Sequence, residues 1–168
     1  AWDGLSAILI EQAGFQGVYV TGGGIARSTG VPDIGLITLN EQVARVKMIC
    51  EAVSLPVLAD ADTGYGNAIN LMRAVRDMEA VGAAGIHIED QVTPKRCGHY
   101  EGKEVVDRRE FVKKIEAACA ARRDAAASGG TDVAPVWSRE PSARGRSPPA
   151  PRHERTHRRA AALRGNDR

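Results

Sequence analysis

The stretch "LPVLADADTGYG", Leu55 to Gly66, decides the fold. Its apolar run after Pro56 is short, continuous and closed by glycines, as in a strand buried on both faces of a parallel sheet. The run ends in a polar, glycine-punctuated loop that carries Asp60 and Asp62. Working outward, "AINLMRAVRDMEAVG" (68–82) reads as a helix, and "AAGIHIEDQ" (83–91) reads as the next strand. A polar loop from about residue 91 to about 106 leads to a further helix, "RREFVKKIEAACAARR" (108–123). On the other side, "NEQVARVKMICEAV" (40–53) places Val43, Val46, Ile49, Cys50 and Val53 on one helical face, starting from Thr38 or Asn40. "GVYVTGG" (17–23) is a strand ending in glycines. "GLSAILIEQAG" (4–14) is a short helix with Asp3 or Ser6 at its start. "IARSTGVPDIGLI" (25–37) holds too much Gly and Pro for regular structure and is expected to be a loop. Strand and helix thus alternate strictly, which calls for parallel strands with helical crossovers. A (β/α)8 barrel and a doubly wound sheet both satisfy this, and both bind ligands at the carboxyl ends of the strands.

Composition narrows the function classes. The chain has 168 residues, 43% of them apolar, enough for one domain with a core, although aromatics make up only 4%. Three widely spaced cysteines argue against a disulfide framework and for a reducing compartment, so a cytoplasmic location is expected. No apolar run reaches the roughly 18 residues of a membrane span, and no basic-then-apolar leader precedes the first helix. The first residue, Ala1, suggests a fragment.

Charge is uneven. Residues 1–124 carry 14 basic and 17 acidic side chains, whereas residues 125–168 carry 9 arginines, no lysine and 4 acids. The latter segment has no apolar periodicity, so it is expected to be a disordered basic tail. Without interleaved aromatics apart from Trp137, or a reading motif, it argues against nucleic acid as a partner. Its Arg, Ala, Pro and Gly bias also resembles out-of-frame translation of a GC-rich gene.

Residues two apart on a strand face the same way. Asp60 and Asp62 therefore share a face, as do His87 and Glu89 on the next strand and Tyr19 and Thr21 on the one before. If the strands are neighbours, Asp60, Asp62 and Glu89 converge, and hard oxygen donors of this kind suit Mg²⁺ or Mn²⁺ better than zinc. The plainer alternative is that an Asp caps the following helix and Glu89 pairs with a lysine. In "PKRCGH" (94–99), Lys95, Arg96 and His99 surround Cys97 with positive charge, which favours a thiolate, while Gly98 permits loop motion. A lone loop cysteine is more often incidental, and Cys50 and Cys119 on helices read as packing residues. "TGGGIA" (21–26) fails the dinucleotide fingerprint because Arg27 stands where the third glycine belongs. Its glycines are better suited to offering backbone amides to a substrate carboxylate.

Together "GVYVTGGG", "GVPDIGLIT", "LADADTGYG", "GIHIEDQ" and above all "PKRCGHYEGKEVV" resemble the isocitrate lyase and phosphoenolpyruvate mutase superfamily, in its methylisocitrate lyase and dimethylmalate lyase-like branch. The resemblance runs to about Arg123. It implies a (β/α)8 barrel of which about three strands are retained, and a homotetramer in the intact family. Tyr19, Thr21, Gly22, Gly23, Asp33 and Gly98 would belong to the pocket for a small carboxylate substrate. Asp62 would be the direct Mg²⁺ ligand, with Asp60 and Glu89 acting through water. Lys95, Arg96, Cys97 and His99 would form the mobile loop, with Cys97 as the acid–base thiol. The implied reaction cleaves a carbon–carbon bond in a 2-hydroxy di- or tricarboxylate. The alternatives are an oxaloacetate hydrolase, decarboxylase or phosphonate mutase of the same superfamily, or a non-catalytic fragment with a basic tail. A preceding strand, and the strands expected after "AARRD", are not recognisable, so a truncated and inactive product is also expected.

Overall fold

The computed structural model describes residues 1–123 and 134–138. Its elements are α1 (Gly4–Gln12), β1 (Val18–Val20), α2 (Gly22–Ser28), α3 (Leu39–Ala52), β2 (Val57–Asp60), α4 (Ala68–Ala80), β3 (Gly85–Glu89), α5 (Arg108–Ala121) and β4 (Ala134–Ser138). The four strands form one parallel sheet in chain order β1-β2-β3-β4. Tyr19 lies opposite Leu58, Asp60 opposite His87, and Ile86 opposite Pro135. Sequential parallel order with a helix between neighbours is the βαβ repeat expected from the alternation.

Each long helix starts where its sequence allows a cap. Asp3 and Ser6 form a capping box on α1, Thr38 and Glu41 on α3, and Asn67 and Asn70 on α4; Asp107 caps α5. The core lies between the helices and one sheet face. Val18, Val20, Ala59, Ile86 and Ile88 point into it, where they meet Leu71, Ala74, Val75 and Met78 of α4, all at most 2% exposed. Full burial of a Leu, Val or Met stabilises by about 1.5–3 kcal/mol each, which fixes α4 against the sheet. The opposite sheet face, with exposed Tyr19 and half-buried Leu58, His87 and Glu89, is open at its carboxyl end.

Two expectations change. The stretch 25–37 is not all loop, because α2 begins at Gly22 and continues to Ser28. Glycine weakens a helix, but Thr21 Oγ1 accepts from the Gly24 amide at 3.1 Å, and Ile25 and Ala26 are buried at 0% and 2%. The glycines also answer a steric demand. A Cβ at Gly22 would lie 3.0 Å from Asp60 Oδ2, and one at Gly23 2.8 Å from Asp33 Oδ2. The second change is β4, a fourth strand inside the segment expected to be a structureless tail; its backbone pairs with β3 from Gly85 to Glu89. The rest of residues 125–168 lies outside the described residues.

Candidate active site

The carboxyl ends of β1, β2 and β3 gather the acids. Asp60 is the last residue of β2. One of its oxygens accepts from the Gly22 amide at 3.2 Å and the other from the Asp62 amide at 2.9 Å. Gly22 therefore spends its amide on Asp60 rather than offering it to a substrate. Asp62 and Tyr65 hold positive φ values of 47° and 59°, sparsely populated for non-glycine residues, in the turn that leads to α4. Neither Asp caps α4, a task done by Asn67.

Lys95 crosses from the loop after β3 and places its ammonium 2.6 Å from Asp33 Oδ1 and 2.7 Å from Asp62 Oδ1. Its side chain is 3% exposed, so both ion pairs are buried. Asp62 Oδ1 is itself buried, and the Lys95 ammonium at 2.7 Å is its charge-assisted partner. Burial would lower the Lys95 pKa, yet Asp62 and Asp33 hold it above the ordinary lysine value. Burial likewise pushes Asp33 upward, but Lys95 outweighs it and keeps that carboxyl below the usual range. Asp62 goes the other way, raised by burial and by Asp60 and Asp33 despite Lys95. Glu89 is pushed up to about 7, by burial first and then, against Lys95, by Asp60, Asp62 and Asp33. Four acids thus share one buried lysine.

Tyr19 faces the same region, its hydroxyl 2.9 Å from His87 Nδ1. Burial and then Asp60 raise its pKa, so the phenol stays protonated. Thr21 has its hydroxyl committed as the α2 cap.

The loop with Cys97 is pinned at its base by Val92 N–H to Glu104 O and Val106 N–H to Asp90 O, both 2.9 Å. Gln91, 2% exposed, organises its interior. Its amide nitrogen donates to Glu89 Oε2 at 2.8 Å and Arg96 O at 2.9 Å, and its oxygen accepts from Arg96 N at 2.9 Å. Cys97 is 5% exposed, with His99 Nδ1 3.5 Å and Arg27 Nη2 3.8 Å from its sulfur. Arg96 instead turns outward to Glu101 O at 3.2 Å, away from the thiol. Gly98 lies in this exposed part of the loop.

A cavity of about 550 Å³ opens beside the acids, lined by Leu36, Ile37, Leu39 and Tyr65 and reaching Asp62 and Lys95. Tyr19, Thr21, Gly22 and Gly23 are not among its walls. Among the described residues no three His, Cys, Asp or Glu side chains already stand at metal-binding spacing. The donor chemistry still fits a hard cation, because Asp60 and Asp62 bring carboxylate oxygens side by side at the end of β2. Sequence reasoning missed Arg27, Gln91, Gln42 and Lys114. Gln42 donates to Asp60 O at 2.9 Å, and Lys114 to Thr63 O at 3.1 Å.

Parallel, sequentially ordered strands with acids at their carboxyl ends and a thiol-bearing loop above them place the chain in the (β/α)8-barrel class. It matches the family described as phosphoenolpyruvate phosphomutase over residues 1–129, and it belongs to the phosphoenolpyruvate mutase/isocitrate lyase superfamily. It is 53% identical over 119 residues to 2,3-dimethylmalate lyase of Eubacterium barkeri, covering 70% of this chain and 41% of that one. To 2-methylisocitrate lyase of Aeropyrum pernix it is 50% identical over 127 residues, covering 76% and 41%. A crystal structure of 2,3-dimethylmalate lyase superposes with a TM-score of 0.73 at 42% identity, over 82% of this chain and 45% of that one. A phosphonopyruvate hydrolase bound to oxalate and Mg²⁺ superposes at 0.68 and 40% identity, over 74% and 42%. The chain therefore spans about two fifths of the length of the curated relatives it matches. Among the described residues no helix is long and apolar enough to cross a membrane.

Proposed function

We propose that the chain supplies the metal-and-thiol half of a Mg²⁺-dependent carbon–carbon lyase. Its substrate would be a 2-hydroxy di- or tricarboxylate of the methylisocitrate or dimethylmalate type. The observation that carries this is the buried Asp62 carboxylate beside Asp60, tied through Lys95 to the loop that presents Cys97. Asp62, with Asp60 and Glu89 beside it, would hold Mg²⁺ or Mn²⁺. When bound, the ion supplies positive charge against the oxyanion that develops on the substrate.

The reaction breaks the bond between the hydroxyl-bearing carbon and its neighbour. The hydroxyl proton leaves to solvent as the 2-oxoacid carbonyl forms, and the electrons of the broken bond pass to the carbon of the departing acid. The Cys97 thiol protonates that carbon and is then reprotonated from solvent. Tyr19, kept protonated, can donate a hydrogen bond toward substrate oxygen. Arg27 Nη2 and His99 Nδ1 lie 3.8 and 3.5 Å from the Cys97 sulfur that gives up its proton. The thiol counts against a phosphonate mutase, and the products separate a lyase from an oxaloacetate hydrolase.

The chain should bind Mn²⁺, detected by the loss of its free-ion paramagnetic resonance signal, and Asp62→Asn should abolish that binding. Incubated with Mg²⁺ and 2,3-dimethylmalate or 2-methylisocitrate, it should release a 2-oxoacid plus a second acid. Oxalate and acetate from oxaloacetate, with no cleavage of the hydroxy acids, would instead establish the hydrolase reading. Assembly as a homotetramer and a cytoplasmic location complete the proposal, and sedimentation velocity tests the first.

A further inference from the structure

Two buried polar side chains stand behind the turn that carries Asp62, and nothing in the chemistry above uses them. Gln42 of α3 is 1% exposed and donates to the carbonyl of Asp60 at 2.9 Å. Lys114 of α5 is 6% exposed and donates to the carbonyl of Thr63 at 3.1 Å. They lie in the apolar register of their helices, Gln42 with Val46 and Ile49, Lys114 with Ala118 and Ala121. An apolar residue at either place would serve the core at least as well.

Lys114 is the sharper case. No acid lies within ion-pair distance of it among the described residues, and Glu110 acts on it only at a distance. Burial lowers its pKa, so the charged form is held at a cost in stability. A buried ammonium satisfied by one carbonyl is a liability to the fold, and its retention calls for another role. That carbonyl belongs to the residue after Asp62, whose positive φ needs support from outside the turn. Besides the Gln42 and Lys114 bonds, the turn is held by Gly64 N–H to Ala61 O, Ala61 N–H to His87 O and Glu89 N–H to Asp62 O, each at 2.8 Å, by Asp62 N–H to the Asp60 side chain at 2.9 Å, and by the Thr63 and Thr93 hydroxyls 3.3 Å apart.

We propose that Lys114, with Gln42 on the opposite side, is a positioning residue that fixes the Asp60–Thr63 turn and so aims the Asp62 carboxylate. The two hold the turn at its two ends, from the helices that flank α4. Outer partners of this kind typically change metal affinity by about 10–100-fold when removed. The metal-binding consequence rests on the reading of Asp62 given above; the ordering of the turn does not.

The full chain is compared with Lys114→Met and Lys114→Arg by three measurements. These are the urea midpoint, the hydrogen exchange of the Asp62 and Gly64 amides, and Mn²⁺ affinity. Methionine removes a buried charge at similar volume, so the midpoint should stay level or rise. The two turn amides should exchange about five-fold faster, the equivalent of about one hydrogen bond, while α4 and α5 amides keep their rates. Mn²⁺ should bind at least about ten-fold more weakly. Arginine should restore both turn exchange and affinity. A midpoint that falls with uniformly faster exchange would make Lys114 an ordinary structural residue and overturn the proposal. Unchanged exchange at Asp62 and Gly64 would overturn it as well. If the parent chain binds no Mn²⁺, the metal reading of Asp62 fails, and the exchange comparison still decides the role of Lys114.

Discussion

Replacing Lys95 by methionine tests the electrostatics of the site most directly. Its ammonium lies 2.6 and 2.7 Å from two carboxylates, in a pocket where all three side chains are 3–13% exposed. At an effective dielectric of about 20, each contact is worth about 6 kcal/mol before desolvation. Burying the ammonium and two carboxylates consumes most of that, and removing one partner of a buried pair typically costs about 3–5 kcal/mol. The low end applies, since Asp62 already has a raised pKa and can relieve the loss by taking up a proton. The expected loss at pH 8 is thus about 3 kcal/mol, or a melting temperature lower by about 10 °C. The pH dependence has a definite sign. A carboxyl whose folded pKa lies above its unfolded one adds stability as pH falls through the folded value, because the folded state then binds the extra proton. Without Lys95, Asp62 rises further, so the deficit should shrink as pH is lowered toward the unfolded Asp value of about 3.9. Urea denaturation of parent and variant at pH 8, 6.5 and 5 measures this. A variant as stable as the parent at pH 8, or a deficit equal at all three values, would refute the buried double pair.

Other parts of the site give independent tests. With Glu89 pushed up to about 7, the parent should be more stable at pH 6 than at pH 8, and Glu89→Gln should flatten that difference in denaturant titrations. Gly23→Ala would place a Cβ 2.8 Å from Asp33 Oδ2 and move that carboxylate off Lys95; chemical denaturation should show a loss of about 1–3 kcal/mol. Iodoacetamide with peptide mapping at pH 7.5 should modify exposed Cys119 first. Cys50, half-buried and pushed up to about 11 by burial, should react far more slowly.

Much of this architecture was legible because the signals are local. The runs around Val18, Val57 and Ile86 are short and apolar, and the caps at Asp3 and Thr38 stand in the sequence. Side-chain alternation and neighbouring strands put Asp60 and Glu89 at one sheet edge, as the sheet order bears out, but Asp62 lies past the end of β2 in a turn at positive φ, where alternation no longer applies. Helix α2 was hidden because three glycines argue against a helix, while their reason, two carboxylates pressed against the backbone, lies far away in the chain. Strand β4 was hidden by composition, since "APVWS" sits amid Arg, Ala and Pro and gains its pairing only from β3. Gln42 and Lys114 did leave a trace, as polar residues spaced four and seven before apolar ones on a buried face. Such a break in an apolar stripe marks a buried hydrogen bond, but its partner is set by packing and cannot be read along the helix.

Asp60 and Asp33 help raise the pKa of Asp62, and with Asp62 they help raise that of Glu89; among the described residues Lys95 is the buried cation that meets these acids. One proton per carboxylate could neutralise the remainder, and Glu89 near 7 shows that this exchange is already close at neutral pH. A divalent cation offsets most of the same negative charge without protonation. Proton uptake and cation binding are therefore rival ways of settling one imbalance. Raising pH from 6 to 8 should strengthen Mn²⁺ binding and release protons on loading. Affinity independent of pH over that range would show that Glu89 stands outside the cation's field.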